Sequence, residues 1–495
     1  MLFPLSRARA LWALAVLALC AAVASGRALA EEHIWIIGGG PTPEASERQI
    51  ELNVKWVIDT LRRVRPDARL HVYFGKGQGA GSDVKHWQRP AETAAALQPL
   101  ARVFGQQMEN GNAYRPNTVP DVLGPTTKTS LVAQLGDEFR QLRPGDQAWL
   151  IFNGHGLQDA VKPGDPAANT LRLWGNTRLS VRELDTLMGR VDPAVRFRFI
   201  FTQCYSGGFL RLIRPQAEDR RELAPADRCG FAAESATRMS EGCSATLKVG
   251  DYRDYTTFFF AALGGQTRLG EALPDGVDRN GDGVVSPLEA HRYVLKAAHN
   301  ADLPRSTSED YLERWQPWYL RWVETGRSPD NSFSKLAAEI AAQLGLPTED
   351  KAMRRELERR RAGLVRESGA LLGERDALVA TVRSRQEQFQ QQLAARWPQL
   401  KHPFTTRYAQ FLVSDSDEAQ AFIVALPAYD DLVRSQDRLD TIELELVRVD
   451  RDETRLGMVL RLRRMARLLG QFERFASARE RAEYSRLQDC ESAPL

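Results

Sequence analysis

The chain has 495 residues, of which 43% are hydrophobic and 26% are charged, enough to bury a full core and more than one domain. Its 67 lysines and arginines nearly balance 64 acidic residues, leaving a formal net charge of +3. This balance excludes the strongly basic surface typical of proteins that bind nucleic acid or anionic membranes. We therefore expect no nucleic-acid partner.

The first thirty residues predict a secretory signal peptide. Arg7 and Arg9 precede an apolar segment at 10–25, and the run ALA at 28–30 is a small-x-small cleavage site. This pattern predicts removal of residues 1–30 and a periplasmic or extracellular protein. The alternative is an uncleaved anchor, although the apolar run is shorter than a membrane span requires. Only in that case would a membrane be a partner.

Four cysteines remain after the predicted signal, namely Cys204, Cys229, Cys243 and Cys490. In an oxidising compartment they can form disulfides, with three possible connectivities. Cys229 and Cys243 are close enough in sequence to pair, which would leave Cys204 as a thiol. A disulfide at Cys204 would exclude any nucleophilic role for it.

Residues 31 to about 330 alternate between short apolar runs and segments with helical periodicity. Predicted strands lie at 33–37, 70–74, 148–152, 197–201 and 229–233, with a small hairpin around 171–179. Predicted helices lie at 50–64, 129–142 and 181–188, and 255–263 is an apolar helix or strand. No element is predicted with certainty between 83 and 125. The alternation predicts an α/β domain with a mainly parallel sheet flanked by helices.

Residues 331–495 predict an all-α region. Leucines recur every seven residues at 357–378 and again at 432–446, with a second apolar row at Ile442, Val449 and Leu456. This period is typical of two long helices that fold back as an antiparallel hairpin or coiled coil, the first ending at 397–398. We interpret the leucines as a structural seam and the charges as a solvated face. The alternative is a partner-binding coiled coil through which the tail makes protein–protein contacts.

Two predicted strands end in residues that carry chemistry. The run NGHG follows one strand at 153–156, and QCYSG follows another at 203–207. Loops at the carboxyl ends of such strands hold functional groups, so His155 and Cys204 are candidates for a base and a thiol nucleophile. Backbone N–H groups of Gly156 and Cys204 suit an oxyanion. Taken singly, each side chain also fits a buried structural role.

Together the two motifs resemble the caspase, legumain and metacaspase group of cysteine peptidases. The histidine precedes the cysteine by forty-nine residues, near the interval seen in caspases. The run RPGD at 143–146 and the strand CGFAA at 229–233 add to the resemblance. It implies a caspase-like α/β fold, Cys204 as nucleophile, His155 as general base and acid, and Gly156 with Cys204 as oxyanion donors. Thr202 and Gln203 depart from the group's patterns and leave the preferred substrate residue open.

A second motif, DRNGDGVVSPLE at 278–289, fits the twelve-residue EF-hand calcium loop. Its predicted ligands are side-chain oxygens and one backbone carbonyl, from Asp278, Asn280, Asp282, Val284, Ser286 and Glu289. The alternative is a surface turn rich in aspartate, asparagine and glycine. A single unpaired loop is more typical of structural Ca²⁺ than of a calcium sensor.

We therefore expect a secreted cysteine endopeptidase that cleaves a peptide or protein substrate through an acyl-enzyme on Cys204. A close variant is a legumain-like transpeptidase, in which an amine rather than water resolves the acyl-enzyme. The alternative from another class is a non-catalytic, calcium-stabilised interaction or scaffold protein.

Overall fold

The computed structural model describes most of the chain beyond the predicted signal. The described residues are 30–79, 81–87, 98–104, 112–158, 165–241, 252–274, 276–315, 317–318, 320, 329–402 and 405–494. The predicted signal up to residue 29, and Cys243, lie outside these ranges. Within them, no helix combines the length and apolar character needed to cross a membrane.

The centre of the fold is a mainly parallel sheet, as predicted. The strands are β1 Glu32–Gly39, β2 Arg69–Phe74, β3 Val84–Trp87, β4 Asn112–Arg115, β5 Val122–Gly124, β6 Gln147–Leu157, β7 Thr170–Leu173, β8 Thr177–Ser180, β9 Arg196–Phe201, β10 Arg228–Ala232 and β11 Arg305–Ser306. The order across the sheet is β11-β10-β9-β6-β1-β2-β5. Along this order β11 pairs antiparallel at the edge, and the other described pairs are parallel. The hairpin β7–β8 extends the carboxyl end of β6, and β3–β4 form a separate pair.

Helices flank the sheet and dominate the last third of the chain. They are α1 Arg48–Val64, α2 Gln98–Phe104, α3 Lys128–Gln141, α4 Val181–Met188, α5 Tyr255–Gly264, α6 Pro287–Ala297, α7 Thr307–Arg314, α8 Ser332–Gln343, α9 Asp350–Arg396, α10 Thr406–Ser414, α11 Ser416–Val424, α12 Tyr429–Phe475 and α13 Ala478–Ser492. The apolar segment at 255–263 is thus helical. This architecture confirms the predicted α/β fold followed by a helical region.

The sheet is buried on both faces, which explains its continuously apolar strands. Along β1, Trp35 and Ile37 face the core shared with α3 and α4. The alternate residues Ile34 and Ile36 face the core shared with α1, α5 and α6. Because successive side chains of a strand point to opposite faces, a strand covered on both sides needs apolar residues throughout.

The predicted antiparallel hairpin is confirmed in α9 and α12. Leu371 of α9 packs against Ile442 and Val449 of α12 at the predicted seam. Ion pairs bridge the helices on the solvent side, including Arg438 with Glu374 at 2.7 Å. The first helix ends at Arg396, directly before the tryptophan–proline pair.

The hydrophobic core continues across the boundary predicted near residue 330. Leu462 and Met465 of α12 and Leu487 of α13 are almost fully buried in the core beneath α3 and α4. The two regions therefore share one core, and the helices after residue 330 cover part of the sheet.

The structure selects one of the disulfide pairings that the sequence left open. Cys229 of β10 is bonded to Cys490 of α13, and Cys204 is a free thiol. The possible pairing of Cys229 with Cys243 is therefore excluded. Proximity in sequence misled because α13, 261 residues away, packs directly against β10. The main-chain carbonyl of Cys490 also accepts a hydrogen bond from the Arg198 guanidinium at 3.0 Å.

Next to this disulfide, α13 places a carboxyl group in the interior. Glu491 has no exposed surface. It accepts hydrogen bonds from the Thr307 hydroxyl at 2.7 Å and from the Ser308 amide and hydroxyl at 2.6 Å each. Burial raises the pKa of Glu491 from 4.5 to about 7, because these hydrogen bonds only partly compensate for lost hydration.

This carboxyl predicts a loss of stability as the pH rises from about 4.5 to about 7, between its unfolded and folded pKa values. Because its folded pKa exceeds its unfolded pKa, its contribution is complete below the unfolded value and is lost as pH rises through about 7. At 1.36 kcal/mol per pKa unit, the expected loss is about 3 kcal/mol. In thermal unfolding across this pH range, Glu491→Gln should flatten the decline, whereas Asp489→Asn on the exposed side of α13 should not. Equal declines in both variants would contradict this role.

Candidate active site

The strand register brings the two motif residues to one edge of the sheet. β6 and β9 pair in parallel from Gln147 with Arg196 to Phe152 with Phe201, a constant offset of forty-nine residues. His155 and Cys204 have the same offset. They follow the last paired positions by three residues, at the carboxyl ends of neighbouring strands.

The environments of the two residues differ. The predicted strand before the histidine motif ends at residue 152, but β6 continues to Leu157 and pairs His155 with Arg172 of β7. β9 ends at Phe201, so Cys204 lies in a turn. The histidine is thus mounted on a rigid strand, and the cysteine is on the loop beside it.

Gly156 is the point of closest approach between the two motifs. A Cβ atom there would lie 2.1 Å from the Cys204 carbonyl oxygen and 2.6 Å from Cγ of Gln203. These distances are far below van der Waals contact, so only glycine fits. The sequence suggested Gly156 for its amide, and the structure adds that its lack of a side chain lets the two motifs touch.

The turn that carries Cys204 is held on both sides. Tyr205 adopts a left-handed backbone with φ of 60°, an uncommon conformation for a residue with a Cβ. Its amide donates to the Arg238 carbonyl at 2.9 Å, and its carbonyl accepts from the Asn169 amide group at 3.0 Å. Asn169 also donates to the Ala236 carbonyl at 2.9 Å. These bonds hold the backbone of the turn that carries Cys204.

The Cys204 thiol is partly buried and points at a carbonyl. Its Sγ lies 3.9 Å from the Ser240 main-chain oxygen, to which it donates rather than to His155. Burial raises the pKa of Cys204, and the carboxylates of Asp302 and Glu234 add to the increase. Such a thiol is protonated at neutral pH and depends on a base to become a nucleophile.

His155 is held by a carboxylate that the sequence analysis did not identify. Its Nε2 lies 2.9 Å from the Glu47 carboxylate, and Glu47 also forms an ion pair with Lys85 at 3.2 Å. Burial acts to raise the pKa of Glu47, but the hydrogen bond and charge of His155, with Lys85, outweigh it and lower that pKa. The ionised carboxylate engages Nε2 and so fixes the orientation of the His155 imidazole.

Two loops form a wall beside the thiol, one following β10 and one preceding β11. Asp302 accepts hydrogen bonds from the Glu241 amide at 2.6 Å and the Ser240 hydroxyl at 3.1 Å. Glu234 accepts from the Ser235 amide at 2.5 Å and the Leu303 amide at 3.2 Å. Both carboxylates are almost fully buried, and Glu234 and Asp302 bind the two loops to each other.

The predicted calcium loop folds around its own side chains. Asp278 accepts from the amides of Gly281 and Gly283 at 2.8 and 2.9 Å, and both glycines are left-handed. The Asn280 side chain donates to Asp282 at 2.8 Å. Ligand positions one, three and five are thus gathered at one end of the loop.

The later positions of the loop fold back toward its beginning. Glu289 accepts from the amides of Arg279 and Asn280 at 2.8 and 3.1 Å, which brings position twelve back to positions two and three. Ser286 caps α6 and also donates to Glu289 at 2.8 Å. The Val284 amide donates to Asp282 at 2.9 Å. The group predicted as a ligand at this residue is its main-chain carbonyl.

The donor set fits a hard, oxygen-binding ion. Nevertheless, among the described residues no three histidine, cysteine or carboxylate side chains converge as a ready metal site. The loop's carboxylates are engaged with N–H groups, so an ion would have to replace some of these bonds at Glu289. An entering helix is also lacking in the described part of the chain between α5 and the loop.

Comparison with known proteins adds little to this geometry. No family model matches the chain, and no curated protein matches it. Among solved structures, it is similar to a structural-genomics crystal structure of a protein from Geobacter sulfurreducens. The two are 14% identical, the match covers 56% of this chain and 92% of that chain, and the TM-score is 0.33. A similarity this low does not indicate a function for this chain.

Proposed function

We propose that the protein is a cysteine endopeptidase with Cys204 as nucleophile and His155 as general base and acid. The observation that carries this proposal is the contact at Gly156, which places the histidine strand directly against the carbonyl of Cys204. A structural cysteine in a buried core needs neither a histidine on the adjoining strand nor a glycine at this point. The resemblance to the caspase, legumain and metacaspase group supports the same roles.

The chemistry follows from the contacts of each group. Nδ1 of His155 takes the proton of Cys204, and Glu47 stabilises the resulting imidazolium. The thiolate attacks the substrate carbonyl, whose oxygen takes up the negative charge beside the amides of Gly156 and Cys204. The imidazolium then protonates the leaving amine as the carbon–nitrogen bond breaks, which leaves a thioester on Cys204. Attack by water gives hydrolysis, and attack by an amine gives transpeptidation.

The proposal is tested by the pH dependence of Cys204 alkylation, measured by mass spectrometry on the intact protein. Since burial and carboxylates raise the pKa of the thiol, reaction at neutral pH requires the base. We expect His155→Ala to slow neutral-pH alkylation by about 100-fold, the scale of general-base catalysis. His402→Ala, at an exposed histidine that follows α9, is the control. Equal rates in wild type and His155→Ala would refute the proposed pair.

Glu47 gives a second, separate prediction. Glu47→Gln keeps the size of the side chain but removes the charge that stabilises the imidazolium. We expect kcat for peptide cleavage to fall about 10- to 100-fold with little change in KM, as for other groups that orient a catalytic ligand. Glu44→Gln, three residues earlier and exposed, serves as the control. A normal kcat in Glu47→Gln would show that the carboxylate only stabilises the fold.

We also propose that the loop at 278–289 binds a structural Ca²⁺. The support is the loop's internal folding. Asp278 accepts from the amides of two left-handed glycines, and Glu289 accepts from the Arg279 and Asn280 amides, which bends the loop back on itself. Arg279 within the loop forms an ion pair with Glu339 of α8 at 2.9 Å, so an ordered loop also fastens the helical region.

Calcium removal is therefore expected to lower the melting temperature. At a Ca²⁺ concentration of about 100 times Kd, binding would contribute about 2.7 kcal/mol. Chelation should abolish this stabilisation, and Asp278→Ala should make the melting temperature independent of calcium. Asp137→Ala, at an exposed carboxylate on α3, should retain the calcium effect. No change in melting temperature on chelation would contradict the calcium site.

A further inference from the structure

Helix α12 contacts the wall beside the Cys204 thiol. The Arg451 Nε lies 3.0 Å from both carboxylate oxygens of Glu241, and a second guanidinium nitrogen contacts the same carboxylate. The preceding residue, Asp450, lies 3.5 Å from Arg238. Glu241 directly follows Ser240, whose carbonyl accepts the thiol hydrogen bond. Arg451 of α12 thus contacts the residue next to Ser240, whose carbonyl accepts the thiol hydrogen bond of Cys204.

The same helix also holds the second loop of the wall. The Thr454 hydroxyl contacts the Ala301 carbonyl at 3.5 Å, and Arg455 donates to the Leu295 and Ala298 carbonyls at 2.6 and 3.4 Å. The Leu295 and Ala298 carbonyls lie at the C-terminal end of α6, where the helix dipole favours a cation. Arg455 is 8% exposed, so this end of α12 is built into the fold.

Glu241 connects the helix to both loops at once. Its carboxylate accepts from the Ala301 amide at 2.9 Å as well as from Arg451, and its own amide donates to Asp302 at 2.6 Å. Asp302 in turn holds the Ser240 hydroxyl at 3.1 Å. A continuous chain of hydrogen bonds therefore runs from the guanidinium on α12 to the backbone that faces the thiol.

We propose that Arg451 is a positioning residue for the Cys204 site, which it orders through Glu241 and the two wall loops. On this proposal the C-terminal hairpin helps to order the catalytic site. This inference rests on the proposed function, because it concerns the state of the same nucleophile.

Loss of Arg451 has two physical consequences. The Glu241 carboxylate loses its cation and adds a negative charge to a wall that already contains Glu234 and Asp302, with Arg238 as the cation facing them from the wall itself. The Ser240 carbonyl also loses the support that fixes its place beside the thiol. Both changes disfavour the thiolate, since nearby negative charge opposes ionisation of a thiol.

The test compares Arg451→Met with Arg448→Met on the same helix. Arg448 is about half exposed and forms ion pairs with Asp452 and Glu367, whereas Arg451 pairs with Glu241. We expect Arg451→Met to lower kcat about 10-fold and to move the midpoint of the Cys204 alkylation profile to higher pH by about one unit. Arg451→Lys, which keeps the charge, should restore most of the midpoint, and Arg448→Met should match wild type.

A second variant and the wild-type assay distinguish failure of this proposal from failure of the proposed function. If Arg451→Met is unfolded by circular dichroism, Glu241→Gln breaks the same ion pair without altering α12. It leaves no uncompensated carboxylate, so it tests only the lost support of the Ser240 carbonyl, and it should lower kcat with a smaller rise in the alkylation midpoint. If neither variant moves the midpoint or kcat, Arg451 is not a positioning residue, although the proposed function stands. If the wild type cleaves no peptide, the proposed function fails, while the alkylation profiles still decide whether α12 controls the thiol.

Discussion

Replacing Gly156 by alanine is expected to lower kcat/KM for peptide cleavage by at least about 100-fold, the cost of misplacing a catalytic group by about 1 Å. The added Cβ would lie 2.1 Å from the Cys204 carbonyl oxygen, and a backbone atom cannot rotate away as a side chain does. Either the histidine strand or the nucleophile loop must move. Both movements separate His155 from Cys204 and displace the two amides proposed for the oxyanion. Steady-state cleavage of a fluorogenic peptide measures the effect.

The matched control is Gly369→Ala in the middle of α9. An added Cβ there meets no atom within 4 Å. The variant should keep full activity and gain a little stability, because alanine is favoured over glycine in helices. Circular dichroism of Gly156→Ala separates misalignment from unfolding. A folded Gly156→Ala variant that retains activity within threefold of wild type would remove the main support for the proposed site.

Opening the disulfide between Cys229 and Cys490 is expected to give the largest loss of stability. Its cysteines are 261 residues apart and both are fully buried. The chain-entropy description gives about 5 kcal/mol for a loop of this length. This is comparable with the whole free energy of unfolding of many domains, typically about 5 to 15 kcal/mol. We expect Cys490→Ser to unfold at much lower temperature, with the loosened α13 exposing the core beneath the sheet.

Two variants identify the disulfide as the cause. The double variant Cys229→Ser, Cys490→Ser should be no less stable than Cys490→Ser, because the bond is lost once. Cys204→Ser should melt close to wild type, since that thiol forms no disulfide. If the wild-type melting temperature is unchanged by a strong reductant, the predicted stabilisation is wrong. The bond also affects assay design, because reductant added to protect Cys204 would weaken the sheet that carries it.

The parts of the fold that were predictable from sequence are those with long, regular patterns. The apolar runs of β1, β6 and β9 and the heptads of α9 and α12 each carry enough repeats to define an element locally. The segment 83–125 does not, and β3, β4, β5 and α2 within it were missed. Helix α2 is only seven residues long. Its last carbonyls are held by distant glutamines, such as Gln390, which donates to the Val103 carbonyl at 2.8 Å.

Some residues of the candidate site could be predicted from sequence and others could not. Cys204 and His155 were identifiable because each follows a strong strand and belongs to a chemically distinctive type. Glu47 was not, since it lies 108 residues from the histidine in a segment without a motif. Arg451 is equally remote, within a helix whose charges suggested only a solvated face. The cysteine pairing failed for a related reason, because it depends on where α13 docks and not on spacing along the chain.

The most direct test of the central claim is cleavage of a mixed peptide library by the mature protein, beside a Cys204→Ala control. Reductant should be limited so that mass spectrometry shows a free Cys204 and an intact Cys229–Cys490 bond. The proposed function predicts cleavage by the wild type at defined residues and none by Cys204→Ala. No cleavage with or without calcium, or equal cleavage by both proteins, would contradict it and favour the non-catalytic interaction protein.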